Sequence, residues 1–381
     1  MMNRPNIFRR MLSAVKGFGF KQWFFLVLNV LLVGGSIGCL AGLGSVSHAL
    51  STLNAAEQFR GQGDTRFAQL ACYLPVDDGK TEDDIRSFRQ SLEAQLVEQS
   101  LEAAEGGRLY IDAYSGTAQV TVGSDNGGNA SVKAIGVGGD FFYFHPLRLR
   151  AGAYIKSDDL MDDLVVLDEE MAWRLFGGTD LAGMTMTING EPFVVSGVIA
   201  RETDFATNKA YTGDGGVFMS FSALNRLVET ASITSYEIVM PNPITGFARN
   251  ITADNFPLGN GDLVENSSRY SLTHLWEVIG AFGQRSMRTN GVIYPYWENA
   301  VRLTEDYAAL LLTMAVLLAL YPLLTALVLI IKDIRRAYRF AKVKIPEKVD
   351  EAVEKRREER LEKAFEKKEE EGKPDGGSEP S

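Results

Sequence analysis

The sequence predicts an α+β domain, with a mixed or antiparallel sheet, placed between two transmembrane helices. Three observations predict it. Two uncharged apolar blocks stand near the ends of the 381-residue chain, from Trp23 to Val46 and from Tyr307 to Ile331. Each exceeds the roughly 20 residues that a helix rising about 1.5 Å per residue needs to cross a hydrocarbon core of about 30 Å. Between the blocks, strand-like runs and helical periodicities intermingle.

The flanks orient the spans. Arg4, Arg9, Arg10, Lys16 and Lys21 precede the first block with no acidic residue among them. Lys332, Arg335, Arg336, Arg339, Lys342 and Lys344 follow the second against a single Asp333. Positive flanks stay in the cytoplasm, so both termini are expected inside and residues 47–306 outside. That outer segment holds 35 Asp and Glu against 19 Lys and Arg, which suits an exported domain. Trp23 at one boundary, and Tyr294, Tyr296 and Trp297 near the other, are expected in interfacial aromatic belts. Pro322 is expected to kink the second span.

The first block reads as an uncleaved anchor, because it is longer than the 7–15 or so apolar residues of a signal core. Ser47-His48-Ala49 is the rival cleavage site. Gly34, Gly38 and Gly42 recur every four residues and so share one helix face, where absent side chains admit another helix; with Asn29 they form the expected helix-packing set. Ile7, Phe8, Met11, Leu12, Val15 and Phe18 follow helical spacing, which predicts an amphipathic helix on the inner membrane surface. The expected organisation is a cytoplasmic segment 1–22, spans 23–46 and 307–331, an outer domain 47–306, a charged cytoplasmic helix 332–371 and a disordered tail 372–381.

Within the outer domain, Asp83 to Ala104 is helical, with a Thr81/Asp84 capping box and a buried stripe of Ile85, Phe88, Leu92 and Leu96. Strands are expected at Phe67 to Leu74, Leu109 to Ser115, Gln119 to Val122 and Val132 to Val137, with turns at Gly106-Gly107 and Asp125 to Gly128. Asp168 to Phe176 is a short helix. Met184 to Ile188, the pair Asn189-Gly190 and Glu191 to Ile199 predict a hairpin with a two-residue primed turn. Phe218 to Leu227 and Pro243 to Ala253 read as helices around a strand at Ser235 to Met240.

Several of these pieces, in this order, carry a family resemblance: Ala134-Ile-Gly-Val-Gly-Gly-Asp-Phe-Phe142, Leu149-Arg-Ala-Gly-Ala-Tyr154, Val165-Val-Leu-Asp-Glu169, Ala172-Trp-Arg-Leu-Phe176, Leu181-Ala-Gly183, Thr187-Ile-Asn-Gly190 and Phe193-Val-Val-Ser-Gly-Val198. The chain resembles the MacB-type periplasmic core domain of FtsX-like permeases in ABC transport systems, most specifically from about Val132 to Leu224. The resemblance implies an outer module between the first and second spans, moved by a separate ABC ATPase or permease subunit. It also implies a homo- or hetero-oligomer in the lipid bilayer of the cell membrane. FtsX-like permeases usually have four spans, whereas two are read here. A freestanding membrane-anchored binding or assembly protein is the alternative.

Other function classes recede. A net charge of −10 argues against nucleic acid as a partner. No G-x-x-x-x-G-K-[ST] loop is present, so no nucleotide hydrolysis is expected of the chain itself. Cys39 lies in an apolar block and Cys72 in the outer domain, which argues against a disulfide framework; Cys72 reads as a small core residue, with pairing between chains as the alternative. His48, His145 and His274 lack metal-ligand spacing. Asp158, Asp159, Asp162 and Asp163 lack the pattern of a calcium loop and read as a solvated cap. Thus no catalytic, cofactor or metal site is expected. The segment Glu347 to Glu371 alternates Glu with Lys and Arg and reads as a solvated helix, supported by four-residue pairs such as Glu351 with Lys355, with a docking segment for a cytoplasmic protein as the alternative.

Overall fold

A computed structural model describes residues 19–47, 50–61, 63, 65–101, 107–124, 128–157, 159, 161–211 and 216–371. The expected inner-surface helix, the 372–381 tail, His48 and Asp158 fall outside the described residues. The helices are α1 (Phe20–Ser47), α2 (Ala55–Arg60), α3 (Glu82–Glu98), α4 (Phe141–Phe144), α5 (Glu169–Phe176), α6 (Phe205–Ala210), α7 (Phe221–Leu227), α8 (Phe247–Asn255), α9 (Leu272–Gly280) and α10 (Tyr296–Glu371). The strands are β1 (Phe67–Tyr73), β2 (Ile111–Gly123), β3 (Ala130–Gly139), β4 (Leu149–Gly152), β5 (Leu164–Asp168), β6 (Thr185–Ile188), β7 (Glu191–Ile199), β8 (Val217–Ser220), β9 (Ile233–Pro241) and β10 (Asp262–Glu265). The chain divides into two compact units, residues 38–314 and residues 1–37 with 315–381.

In the first unit one sheet runs β10-β1-β9-β2-β3-β8-β5-β7-β4. The β3–β8 and β5–β7 pairs are parallel and the others antiparallel, so the sheet is mixed, as the sequence predicts. Strand β6 pairs with both β7 and β2, so β2, β3, β8, β5, β7 and β6 close into a ring. Inside it, Val120, Val132, Val165, Met186, Phe193, Val195 and Met219 are buried together. The β9–β1–β10 arm extends beyond the ring. Helices α3 and α8 cover one face of the arm through Phe88, Leu92, Ile251 and their neighbours.

Local chemistry explains the elements. The capping box is present: Thr81 Oγ1 accepts from Asp84 N while Thr81 N donates to Asp84 Oδ2, and Ile85, Phe88, Leu92 and Leu96 are buried. Asn189 at φ 49° and Gly190 at φ 87° form the two-residue primed turn between β6 and β7. Asp168 caps α5 by accepting from Met171 N at 2.7 Å, and Gly177 ends it in the left-handed conformation.

Four expectations need correction. The helix from Asp83 stops at Glu98, where Ser100 turns to φ 56° and Leu101 N donates back to Leu96 O, closing the last turn. The two strands expected between Leu109 and Val122 are one, β2, with a register shift at Ser115/Gly116 taking up the irregularity. Phe218 to Leu227 is half strand: β8 is buried between β3 and β5, so its Val-Phe-Met run is apolar on both faces, and Ser220 then caps α7. Finally, the second span is part of a longer helix. α10 begins at Tyr296, roughly 16 Å before the uncharged run at about 1.5 Å per residue, and is helical through Pro322 to Glu371.

In the second unit, Thr325 Oγ1 lies 2.8 Å from both Asn29 Oδ1 and Pro322 O, sharing its hydrogen between them. Ser36 Oγ donates to Ala315 O at 2.9 Å. These bonds tie the two apolar helices to each other.

A candidate functional site: the buried charge seam at the root of the second span

Where the arm joins the ring, one face of the β1–β9–β2 stretch of sheet is polar at its centre. On β9, Glu237 sits opposite Ala71 of β1 and Ala113 of β2, whose short side chains leave room above its carboxylate. His145, just past α4, fills that room: its Nε2 is 2.5 Å from Glu237 Oε2, and both side chains are buried. The Phe141 and Trp297 rings close on the imidazole at 4.5 and 4.7 Å between centroids. Tyr73, two residues from Ala71 and on the same face, donates its hydroxyl to Glu298 Oε2 at 3.0 Å. Burial, then the charges of Glu298 and Glu237, hold its phenol well above the ordinary range.

From Glu298 the seam continues along α10. Glu298, Arg302 and Glu305 recur at four and three residues, so they line one helical face. Arg269, just before α9, is 2% exposed; it donates to Asn266 Oδ1 at 2.8 Å, Glu298 Oε2 at 2.6 Å and Glu305 Oε1 at 3.2 Å. Arg302 Nε donates to Glu298 Oε1 at 2.5 Å, and its guanidinium stands 3.8 Å from the Tyr294 ring centroid. Arg285 Nη2 lies 2.7 Å from Glu305 Oε2, an ion pair without hydrogen-bond alignment. His274 Nε2 of α9 is 3.3 Å from Glu305 Oε1.

Balance makes such burial tolerable. Arg269, Arg285 and Arg302 face Glu298, Glu305 and Asp306, so each buried charge has an opposite neighbour. Burial alone would raise the Glu305 carboxyl; Arg269, the His274 hydrogen bond and Arg285 outweigh it and bring the value to about 2. Asp306 moves the other way, raised by burial against only partial relief from Gly283 N and Arg285. The ion pairs and hydrogen bonds of the seam run between separate elements of the fold. They join β1, the Asn266–Arg269 turn, α9 and the first turns of α10 through directional contacts.

The residues expected to pack the first span are placed differently from one another. Asn29 Oδ1 meets Thr325, and a Cβ at Gly42 would lie 3.5 Å from Leu311 Cδ1. At Gly34 and Gly38, a Cβ would meet nothing within 4 Å among the described residues. Gly35 and Ser36 do make close approaches, to Leu318 and Ala315. The interfacial role expected for Tyr294, Tyr296 and Trp297 is not what the structure shows. Tyr294 and Trp297 are 3% and 5% exposed and Tyr296 is half-buried; all three pack within the outer domain because α10 starts far above the apolar run. Cys72 is a buried core residue. In the acidic cluster, Asp162 accepts from the Ser220 and Ser222 hydroxyls and Asp159 from Lys156 N.

Sequence reasoning missed the seam. The usable signal was the Glu298, Arg302, Glu305 spacing, an ionic stripe continuing the helical register of the second span; reading the span from Tyr307 hid it.

The family model of the MacB-like periplasmic core domain matches residues 26–253. The macrolide export ATP-binding/permease protein MacB of Campylobacter jejuni is 27% identical over 188 residues, covering 47% of this chain and 26% of that protein. MacB of Chromobacterium violaceum is 32% identical over 110 residues, covering 28% of this chain and 17% of that protein. The chain therefore spans about a quarter or less of these relatives. Among solved structures, the periplasmic region of MacB from Actinobacillus actinomycetemcomitans superposes with a TM-score of 0.36 at 17% identity, covering 56% of this chain and 95% of that one. Two helices, Phe20–Val46 and Tyr296–Lys342, are long and apolar enough to cross a membrane, so this is a membrane protein with an extracytoplasmic domain. The chain belongs to the MacB-like periplasmic core domain family.

Proposed function

We propose that the protein is a non-enzymatic, permease-like membrane component of a MacB/FtsX-type ABC system, with both termini in the cytoplasm. Its outer domain engages a substrate, an envelope factor or a sister subunit. A separate ATPase supplies the work, and the chain carries it mechanically. The observation that carries this reading is the charge seam. The helix that bears the second span also bears Glu298, Arg302 and Glu305, which are locked to Arg269 and, through Tyr73, to the sheet. A displacement of α10 at these turns must move β1 with it or break buried ion pairs, and breaking one costs about 3–5 kcal/mol. Gly34 and Gly38 are proposed to receive a helix of another subunit, while Asn29 and Gly42 serve the packing of the two spans.

The test is a mild-detergent pull-down of the full chain, with partners identified by mass spectrometry. A stoichiometric ABC ATPase supports the proposal. Recovery of an intact, folded chain with only itself or an envelope protein would replace transport with an anchored binding role.

A further inference from the structure

Helix α9 has an apolar arc wider than the protein covers. At about 100° per residue, Val278, Leu275, Ile279, Leu272 and Trp276 follow one another around the helix, and Thr273, Glu277 and His274 take the remaining side. Leu275 and Val278 are buried, yet Leu272 is 66% exposed and Trp276 63% exposed. What Leu275 touches fixes the level of this helix. It clusters with Ala308 and Leu312, which lie inside the uncharged run of the second span, and Leu43 and Val46 at the end of the first span pack against the same cluster. The uncovered half of the arc therefore stands level with the outer ends of both spans. A second element reaches this level independently. Phe205 of α6, 67% exposed, meets Tyr307 edge-on at 5.8 Å, and Lys209 of the same helix lies 6.0 Å from the Phe205 ring.

We infer that α9, assisted by Phe205, is a membrane-contact surface: Leu272 and Trp276 enter the boundary between headgroups and acyl chains of the outer leaflet. An apolar face continuous with two spans is solvated by lipid, not water, and Trp suits that boundary because its ring is apolar while its N–H can still meet polar groups. Lys209 beside Phe205 fits anionic headgroups. The contact also has a route inward, since His274 on the polar side of α9 reaches Glu305 in the charge seam. Nothing in this inference requires the ATPase partner.

The experiment uses the full chain in lipid nanodiscs, with Trp23→Phe and Trp173→Phe. These changes leave Trp276 and the buried Trp297 as emitters; Trp276→Phe in the same background isolates the Trp276 signal by difference. Phospholipids brominated high on the acyl chain should quench that signal severalfold more than phospholipids brominated near the chain ends, and aqueous iodide should quench it weakly. Strong iodide quenching with no response to either brominated lipid would overturn the inference in favour of solvent. Protection from all three quenchers that disappears on dilution would overturn it in favour of a second copy covering the helix.

Discussion

The strand ring and the outer arm of the sheet solve the same problem in opposite ways. Within the ring, β2, β3, β8, β5, β7 and β6 satisfy one another's backbone groups and enclose an apolar cluster. The arm of β9, β1 and β10 must be closed from outside, and on one face its closure is polar: Glu237 hydrogen-bonded with His145, Tyr73 hydrogen-bonded to Glu298, and Arg269 ion-paired with two carboxylates. Apolar packing is indifferent to direction, whereas each ion pair has one satisfactory geometry. The ring is thus built to persist and the arm to hold α10 in one position.

The largest expected effect is on the arm. Arg269→Ala should cost about 3–5 kcal/mol, because Glu298 and Glu305 stay buried with less compensation. Thermal melting of the full chain in nanodiscs measures it. Adding Glu298→Gln to Arg269→Ala should recover part of that loss, and a further loss instead would break the view that unpaired charge is what costs. In the ring, Phe193→Ala should cost about 3 kcal/mol or somewhat more through the cavity it leaves. Unlike the arm variants, its penalty should be nearly flat with pH.

Acidification sharpens the contrast. The Glu305 carboxyl is depressed from 4.5 to about 2, so its contribution is fully present above about pH 4.5 and is lost as pH falls towards 2. Asp306, held above its ordinary value, has the opposite sign: it favours the folded chain most at low pH and less as pH rises through its folded value. Glu305→Gln should flatten the steep acid limb of a stability–pH profile, and an unchanged limb would move its origin away from the seam. Smaller effects are local. Thr81→Ala should cost about 1 kcal/mol by removing the cap of α3. Thr325→Val should cost about 0.6 kcal/mol by leaving Asn29 Oδ1 without its partner inside the membrane, read from the same melts.

Legibility followed the range of the interactions. The capping box at Thr81, the Asn189-Gly190 hairpin, the stripe on α3 and the two apolar runs are written in residues a few positions apart, and each stands where the sequence places it. Errors appeared where neighbours distant in sequence decide. Phe218 begins as a strand because β3 and β5 flank it, and Tyr294 and Trp297 left the expected membrane belt because the sheet covers them.

Sequence alone determined the α+β class, the two candidate spans and the family, because periodicity, caps and apolar length are properties of contiguous segments. Only the tertiary structure decided that β6 closes a ring, that α10 starts at Tyr296 and that Arg269 meets Glu298 and Glu305. The physical reason is that a buried charge is tolerable only opposite a partner, and partners brought together across the fold leave no spacing rule in the chain to reveal them.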